Sequence, residues 1–189
     1  MAEFEWTLPE IAKALKEPQH RLIYLCEKGV VIPDLGEARG RGSSRRFSKR
    51  NLLEFQLALR LRRLALPVGV VQAITHTLRR FAETTRAADP TFDIVDSLRR
   101  AGAVDLRILV KDGDRLYFSM ARGGKKPRLF GGVDFQKLVR SKGDVPAIGA
   151  EVSPSGNESV GSFGGPEGSR QARIEVSVTE IARSLELGK

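Results

Sequence analysis

The chain is poor in the side chains that most often carry redox or metal chemistry. Cys26 is its single cysteine, so no intrachain disulfide can form and no thiolate pair exists for zinc, copper or an iron–sulfur cluster. Histidine is nearly as scarce, with only His20 and His76. No metal site and no cofactor are therefore expected. Aromatics make up 6% of the residues, too few to line a sugar or RNA platform. The longest apolar runs, such as Leu64 to Val71, fall far short of the ~20 residues needed to span a bilayer. Glu3, Glu5 and Glu10 stand where a secretory leader would carry its basic head and apolar stretch. The expectation is a cytoplasmic chain with no membrane partner.

Charge is what the sequence has in excess. The formal net charge is +9, unevenly placed: residues 1–86 hold 16 Lys and Arg against 9 Asp and Glu, and residues 87–189 hold 16 against 14. A basic N-terminal half points to an anionic partner there, nucleic acid first, with a solvated surface that keeps the protein soluble as the plainer alternative.

Four helices are legible in that half. Thr7-Leu8-Pro9-Glu10 fits a capping box, and Pro9 is tolerated in a first turn whose amides lack intrahelical acceptors. Leu8, Ile11, Ala12 and Leu15 then recur at helical spacing. Lys16-Glu17 reads as a turn, and Pro18 opens a second helix to about Lys28, with Leu22, Leu25 and Cys26 inward and Gly29 as its stop. Val30 to Pro33 is a short extended piece. Arg39 to Phe47 reads as a hairpin with Gly40 and Gly42 at its tip. Ser48 caps a third helix, Lys49 to about Ala65, burying Leu52, Leu53, Phe55, Leu59 and Leu64. After Leu66-Pro67 a fourth helix, Val68 to about Ala87, puts Val71, Ile74, Leu78 and Phe81 on one face.

Asp89-Pro90 marks a module boundary, giving units of residues 1–88 and 89–189. In the second unit, 94–100 reads as a short helix. Residues 105–110 and 115–121 read as a β-hairpin turned by Asp112-Gly113-Asp114, and 135–139 as a helical turn. Residues 143–171 contain 7 Gly, 5 Ser and 3 Pro, the composition of a flexible loop. A strand over 173–178 and a helix over 179–187 follow. The fold class expected is α+β: an N-terminal winged helix-turn-helix with a dimer helix, then a small α+β module.

Two short helices, a turn and a basic hairpin suit duplex DNA, since a helix fits the major groove while a hairpin lies along the neighbouring backbone. With Leu22, Leu25 and Cys26 inward, the second helix exposes Gln19, His20, Arg21 and Tyr24. The hairpin and its exit supply Arg39, Arg41, Arg45, Arg46, Lys49 and Arg50, with no acidic residue from 39 to 50. Such clustered cations suit phosphates and give steep salt dependence.

The same residues resemble the MerR family of bacterial transcription regulators. Trp6-Thr7-Leu8-Pro9-Glu10-Ile11-Ala12 looks like the opening of that family's first helix. Leu22-Ile23-Tyr24-Leu25-Cys26-Glu27-Lys28-Gly29-Val30-Val31-Ile32-Pro33 is similar to its recognition helix, LRYYEEKGLLxP. Ser44-Arg45-Arg46-Phe47-Ser48 resembles its wing, and Leu64-Ala65-Leu66-Pro67-Val68 the break before its fourth helix. The likeness covers roughly residues 6–80. It implies a homodimer that binds and distorts a pseudo-palindromic promoter site, with RNA polymerase as a further partner and Val71, Ile74, Leu78 and Phe81 as the dimer seam. Ile23 stands where the family's DNA-reading Arg belongs and Leu25 replaces its second Tyr, leaving base reading to His20, Arg21 and Tyr24.

Other features read more plainly. Cys26 is expected to be a small buried hydrophobe, and His76 structural or exposed. Lys125, Lys126 and Arg128 beside Gly123-Gly124 lack the GxxxxGK[ST] pattern and following helix of a phosphate loop. Asp112 and Asp114 are turn chemistry, and no nucleophile–base pair is visible, so no enzymatic activity is expected. Two rival functions stand beside the regulator: an architectural or excisionase-like DNA binder, and an antitoxin or adaptor that grips a partner protein.

Overall fold

The computed structural model describes residues 5–36, 45–111, 115–134 and 174–185. The fold is α+β, with six helices and one four-stranded antiparallel sheet among those residues. The expected hairpin tip (Arg39 and Arg41 included), the 112–114 turn, the 135–139 turn and the 143–171 loop lie outside the described residues.

Helix α1, Leu8–Leu15, begins where its capping chemistry predicts: the amide and hydroxyl of Thr7 both donate to Glu10 Oε2, at 2.7 Å each. Helix α2, Gln19–Glu27, follows a turn in which Lys16 takes a left-handed conformation and the Glu17 amide donates to the Ala12 carbonyl. Gly29, at φ +64, ends α2. A Cβ there would sit 3.1 Å from Gln72 Nε2, so glycine answers both the backbone conformation and the close approach.

Helix α3, Lys49–Arg63, is capped by Ser48, whose hydroxyl accepts from the Asn51 amide at 3.3 Å. It ends two residues before the expected Ala65, and Leu64 is exposed rather than buried (39%) because it lies past the last helical turn. Nine of its fifteen residues are buried, the mark of a helix with neighbours on nearly every side. Helix α4, Val68–Ala88, packs against it.

The second half forms helix α5, Ile94–Arg99, and strands β1, Val104–Lys111, β2, Arg115–Arg122, and β3, Arg128–Asp134. It closes with β4, Ile174–Ser177, and helix α6, Val178–Ser184, which is capped by Ser177. The strand order is β3-β2-β1-β4. Ile108 pairs with Phe118 on one side and Val176 on the other, which sets Leu106, Ile108, Val110, Leu116, Phe118 and Val176 against the helices.

One core joins both halves. It runs from Ile11 through α3 and α4 to Val95, Leu98, Ala182 and Leu185 without a break at Asp89-Pro90. Helix α3 is the shared wall, packed on α4 and α2 and also on α5 and α6. This packing corrects the dimer seam. Val71, Ile74 and Leu78 are 0%, 0% and 3% exposed, turned into the chain's own core, and Phe81 is half-buried edge-on to Phe92 with ring centroids 6.4 Å apart. The stripe is real, but its partners are α3 and the loop after α2, so it offers no seam to a second copy.

Candidate nucleic-acid interface

Helix α2 buries Leu22 and Leu25 and leaves Gln19, His20, Arg21 and Tyr24 exposed. Ile23 is half-buried at the margin of that face. Tyr24 is 40% exposed, with Lys28 Nζ 5.7 Å from its ring centroid. The phenol and the ammonium thus form one amphipathic patch, stabilised by cation–π attraction.

Arg21 does not stand free. Its Nη1 lies 3.0 Å from Glu17 Oε2, and the other oxygen of that carboxylate takes a hydrogen bond from Arg63 on α3. The Glu17 side chain is 5% exposed, against 58% for Arg21. A buried acid shared by two arginines therefore fixes the first turn of α2, and an incoming base or phosphate has to compete with it. Glu17 and Arg63 also face a cleft of about 390 Å³ between α3 and the β4–α6 corner.

Beside α2 the chain forms the foot of a hairpin. Gly36 and Arg46 make an antiparallel bridge, and Phe47 pairs with Trp6 through two 3.0 Å hydrogen bonds. Arg46 is exposed and Arg45 half-buried next to Cys26. Burial pushes the Cys26 thiol up to about 11, with Arg45 pulling the other way. Cys26 is thus a half-buried thiol, protonated at neutral pH, and not a reactive thiolate.

A polar network that pattern reading missed pins this foot. Asp34, just before the hairpin, accepts from Arg50 (3.0 and 2.8 Å) and from the Ser48 hydroxyl, and its amide donates to Asn51 Oδ1 at 2.9 Å. Asn51 Nδ2 donates to the Ile32 carbonyl (2.8 Å) and to Glu54 (2.9 Å). Arg79, from α4, makes two bonds to the Glu54 carboxylate, 2.9 and 2.7 Å, and a third to the Ile32 carbonyl. Asn51 and Glu54 are 0% and 1% exposed, and no buried side-chain polar atom among the described residues lacks a partner. Burial raises the Glu54 pKa despite Arg79. For Asp34 burial works in the same direction, but Arg50 and Ser48 outweigh it and the pKa is lowered. The signal for this network lay in two polar residues three apart, Asn51 and Glu54, within the apolar run of α3.

No family model matches this chain, and no curated protein matches it.

Lys49 is a correction. Its ammonium lies 2.6 Å from Asp96 and 3.2 Å from Asp93. Burial alone would lower its pKa, but these two carboxylates hold it above its ordinary value. It therefore joins α3 to α5, and a phosphate would have to compete with both carboxylates for it. Arg50 likewise serves Asp34 and Glu83. The described cations at the hairpin that remain turned outward are Arg46 and, in part, Arg45. Polar anchors also hold the loop after α2 onto α4: Thr75 Oγ1 donates to the Val30 carbonyl at 2.8 Å, and His76 Nε2 lies 2.7 Å from the Gly29 carbonyl. His76 is thus structural, one of the two roles expected for it. Among the described residues, no group of three or more His, Cys, Asp or Glu is placed to hold a metal ion, and no helix is long and apolar enough to cross a membrane.

Proposed function

We propose that this chain is a sequence-specific DNA-binding transcription regulator, acting in the bacterial cytoplasm as a homodimer on a promoter site, with RNA polymerase as a further partner. The observation that carries the reading is the pairing of an outward polar face on α2 with a rigidly pinned hairpin foot. Gln19, His20, Arg21 and Tyr24 face outward, and Asn51 and Glu54 tie the chain at Ile32 and Asp34, just before the hairpin foot, to α3. A helix that reads base edges needs such a fixed neighbour, because backbone contacts set register before bases can be compared. The homodimer comes from the MerR resemblance, and its interface lies away from Val71, Ile74 and Leu78, which are spent on the chain's own core.

The architectural alternative is favoured by one observation. Arg21, the best-suited guanine reader on α2, is engaged by Glu17, and Ile23 offers no hydrogen bond, so groove contacts would be few and binding weakly selective. Selection of bound duplexes from a random pool tests both. An enriched inverted repeat supports the regulator, and binding without enrichment supports the architectural protein. No retained DNA overturns both and turns attention to a protein partner.

A further inference from the structure

The β2–β3 turn carries a second concentration of positive charge. From 122 to 128 it reads Arg-Gly-Gly-Lys-Lys-Pro-Arg, four cations and no acid. Arg122, Lys125 and Lys126 are exposed. Gly123 and Gly124 take φ +59 and +72 with no heavy atom within 4 Å of a built Cβ, so the turn presents bare backbone between its cations. The Gly123 amide donates to the Ala103 carbonyl at 3.2 Å, and exposed Arg100, at the end of α5, lies three residues before Ala103. Arg122 has a minor influence on the Asp89 carboxylate, which accepts from the Thr91 amide and hydroxyl at 3.0 and 2.6 Å.

Two routes through the fold place this turn relative to the hairpin foot. Asp93 and Asp96, at the start of α5, hold Lys49, and Arg100 follows the far end of that helix, about 9 Å on at 1.5 Å per residue. On α4, Glu83 holds Arg50, and Asp89, close to Arg122, lies six residues further, again about 9 Å. Lys49 offsets part of the charge of Asp93 and Asp96, and Arg50 is shared between Asp34 and Glu83.

We infer that the β2–β3 turn is a second phosphate-contacting surface, which carries the DNA footprint past the hairpin and makes the C-terminal half part of the DNA-binding face. The inference rests on the DNA-binding reading above. The partner is the phosphate backbone of a duplex, because point cations on a glycine turn neutralise charge and read no base edge.

The test uses the full chain with Arg122, Lys125 and Lys126 all changed to Ala, and mixed-sequence duplexes of roughly 40 and roughly 12 base pairs as probes, at KCl from about 50 to about 300 mM. Removing three phosphate contacts should lower the salt slope on both duplexes by about 2 to 3, at ~0.9 per contact, since even the shorter one, at ~3.4 Å per base pair, is longer than either ~9 Å route. A control variant with exposed Lys13, Arg60 and Arg183 changed to Ala removes the same net charge and should change little. Circular dichroism melts of all variants should coincide with the wild type. An unchanged slope in the triple variant, while Arg45→Ala with Arg46→Ala lowers it, would overturn this inference and leave the DNA reading standing. Equal losses in the triple variant and the control would also overturn it, by showing a net-charge effect. Wild-type protein that binds neither duplex at any salt would overturn both.

Discussion

Arg21 on α2 and Arg63 on α3 share one buried carboxylate, that of Glu17. Arg21 belongs to the face proposed to meet DNA, and Arg63 to the helix that holds the two halves together. Glu17→Gln keeps the side chain's size and removes its charge, so it should free Arg21 and remove a competing anion. Ion pairs whose arginine is largely exposed, as Arg21 is, are worth about 0–1 kcal/mol, which corresponds to DNA affinity rising by up to about fivefold. Fluorescence anisotropy at fixed salt checks this. A fall in affinity would instead show that Glu17 serves to orient Arg21.

Arg45 and Arg46 should act on all sequences alike. Changing both to Ala removes two phosphate contacts and should reduce the slope of log affinity against log salt by about 2. Base preference in a selected pool should not move. A changed sequence preference would assign these arginines to base edges.

The seam expected on α4 gives a different outcome now that its partners are known. Leu78 is 3% exposed inside the monomer. Leu78→Ala should cost about 2–5 kcal/mol of folding stability through lost burial and a cavity. That loss should not depend on protein concentration, as a loss at a dimer interface would. Urea denaturation at two widely separated concentrations separates the cases.

The chain's four N-terminal helices were legible because each has local punctuation: Thr7 and Glu10, Pro18 and Gly29, Ser48, and Leu66-Pro67. Their ends fall within about two residues of expectation. What local pattern does not report is the partner of an apolar stripe. Val71, Ile74 and Leu78 look the same in sequence whether they face a second copy or the chain's own α3. Strand β3 escaped because Gly131 and Gly132 interrupt its alternation, although it pairs with β2 along its length. The Asp34–Asn51–Glu54–Arg79 network escaped for the opposite reason, since polar residues read as solvent-facing until their partners are seen.

That network has a pH signature. The Asp34 pKa lies below its ordinary 3.8, because Arg50 and Ser48 outweigh the effect of burial. Its contribution to stability is therefore complete above that value and is lost as pH falls through the folded one. Glu54 runs the other way. Burial holds its pKa above 4.5, so its contribution is complete below that value and fades as pH rises through the raised one. Asp34→Asn should lower the urea midpoint at about pH 5, and the gap to wild type should narrow as pH falls below the ordinary 3.8. A gap constant across that range would show that Asp34 titrates alike in the folded and unfolded chains.

Helix α3, buried on nearly every side, bears on how such a chain can change over generations. A segment ending near Asp89 looks like a portable DNA-binding cassette, yet it carries half of a wall whose other face is finished by Val95, Leu98, Ala182 and Leu185. A gene fusion that moved residues 1–88 onto a new tail would expose that face unless the tail brought its own apolar cover. Substitutions on α5 and α6 are therefore bound to those on α3, and the two halves are expected to diverge in step, as one inherited unit.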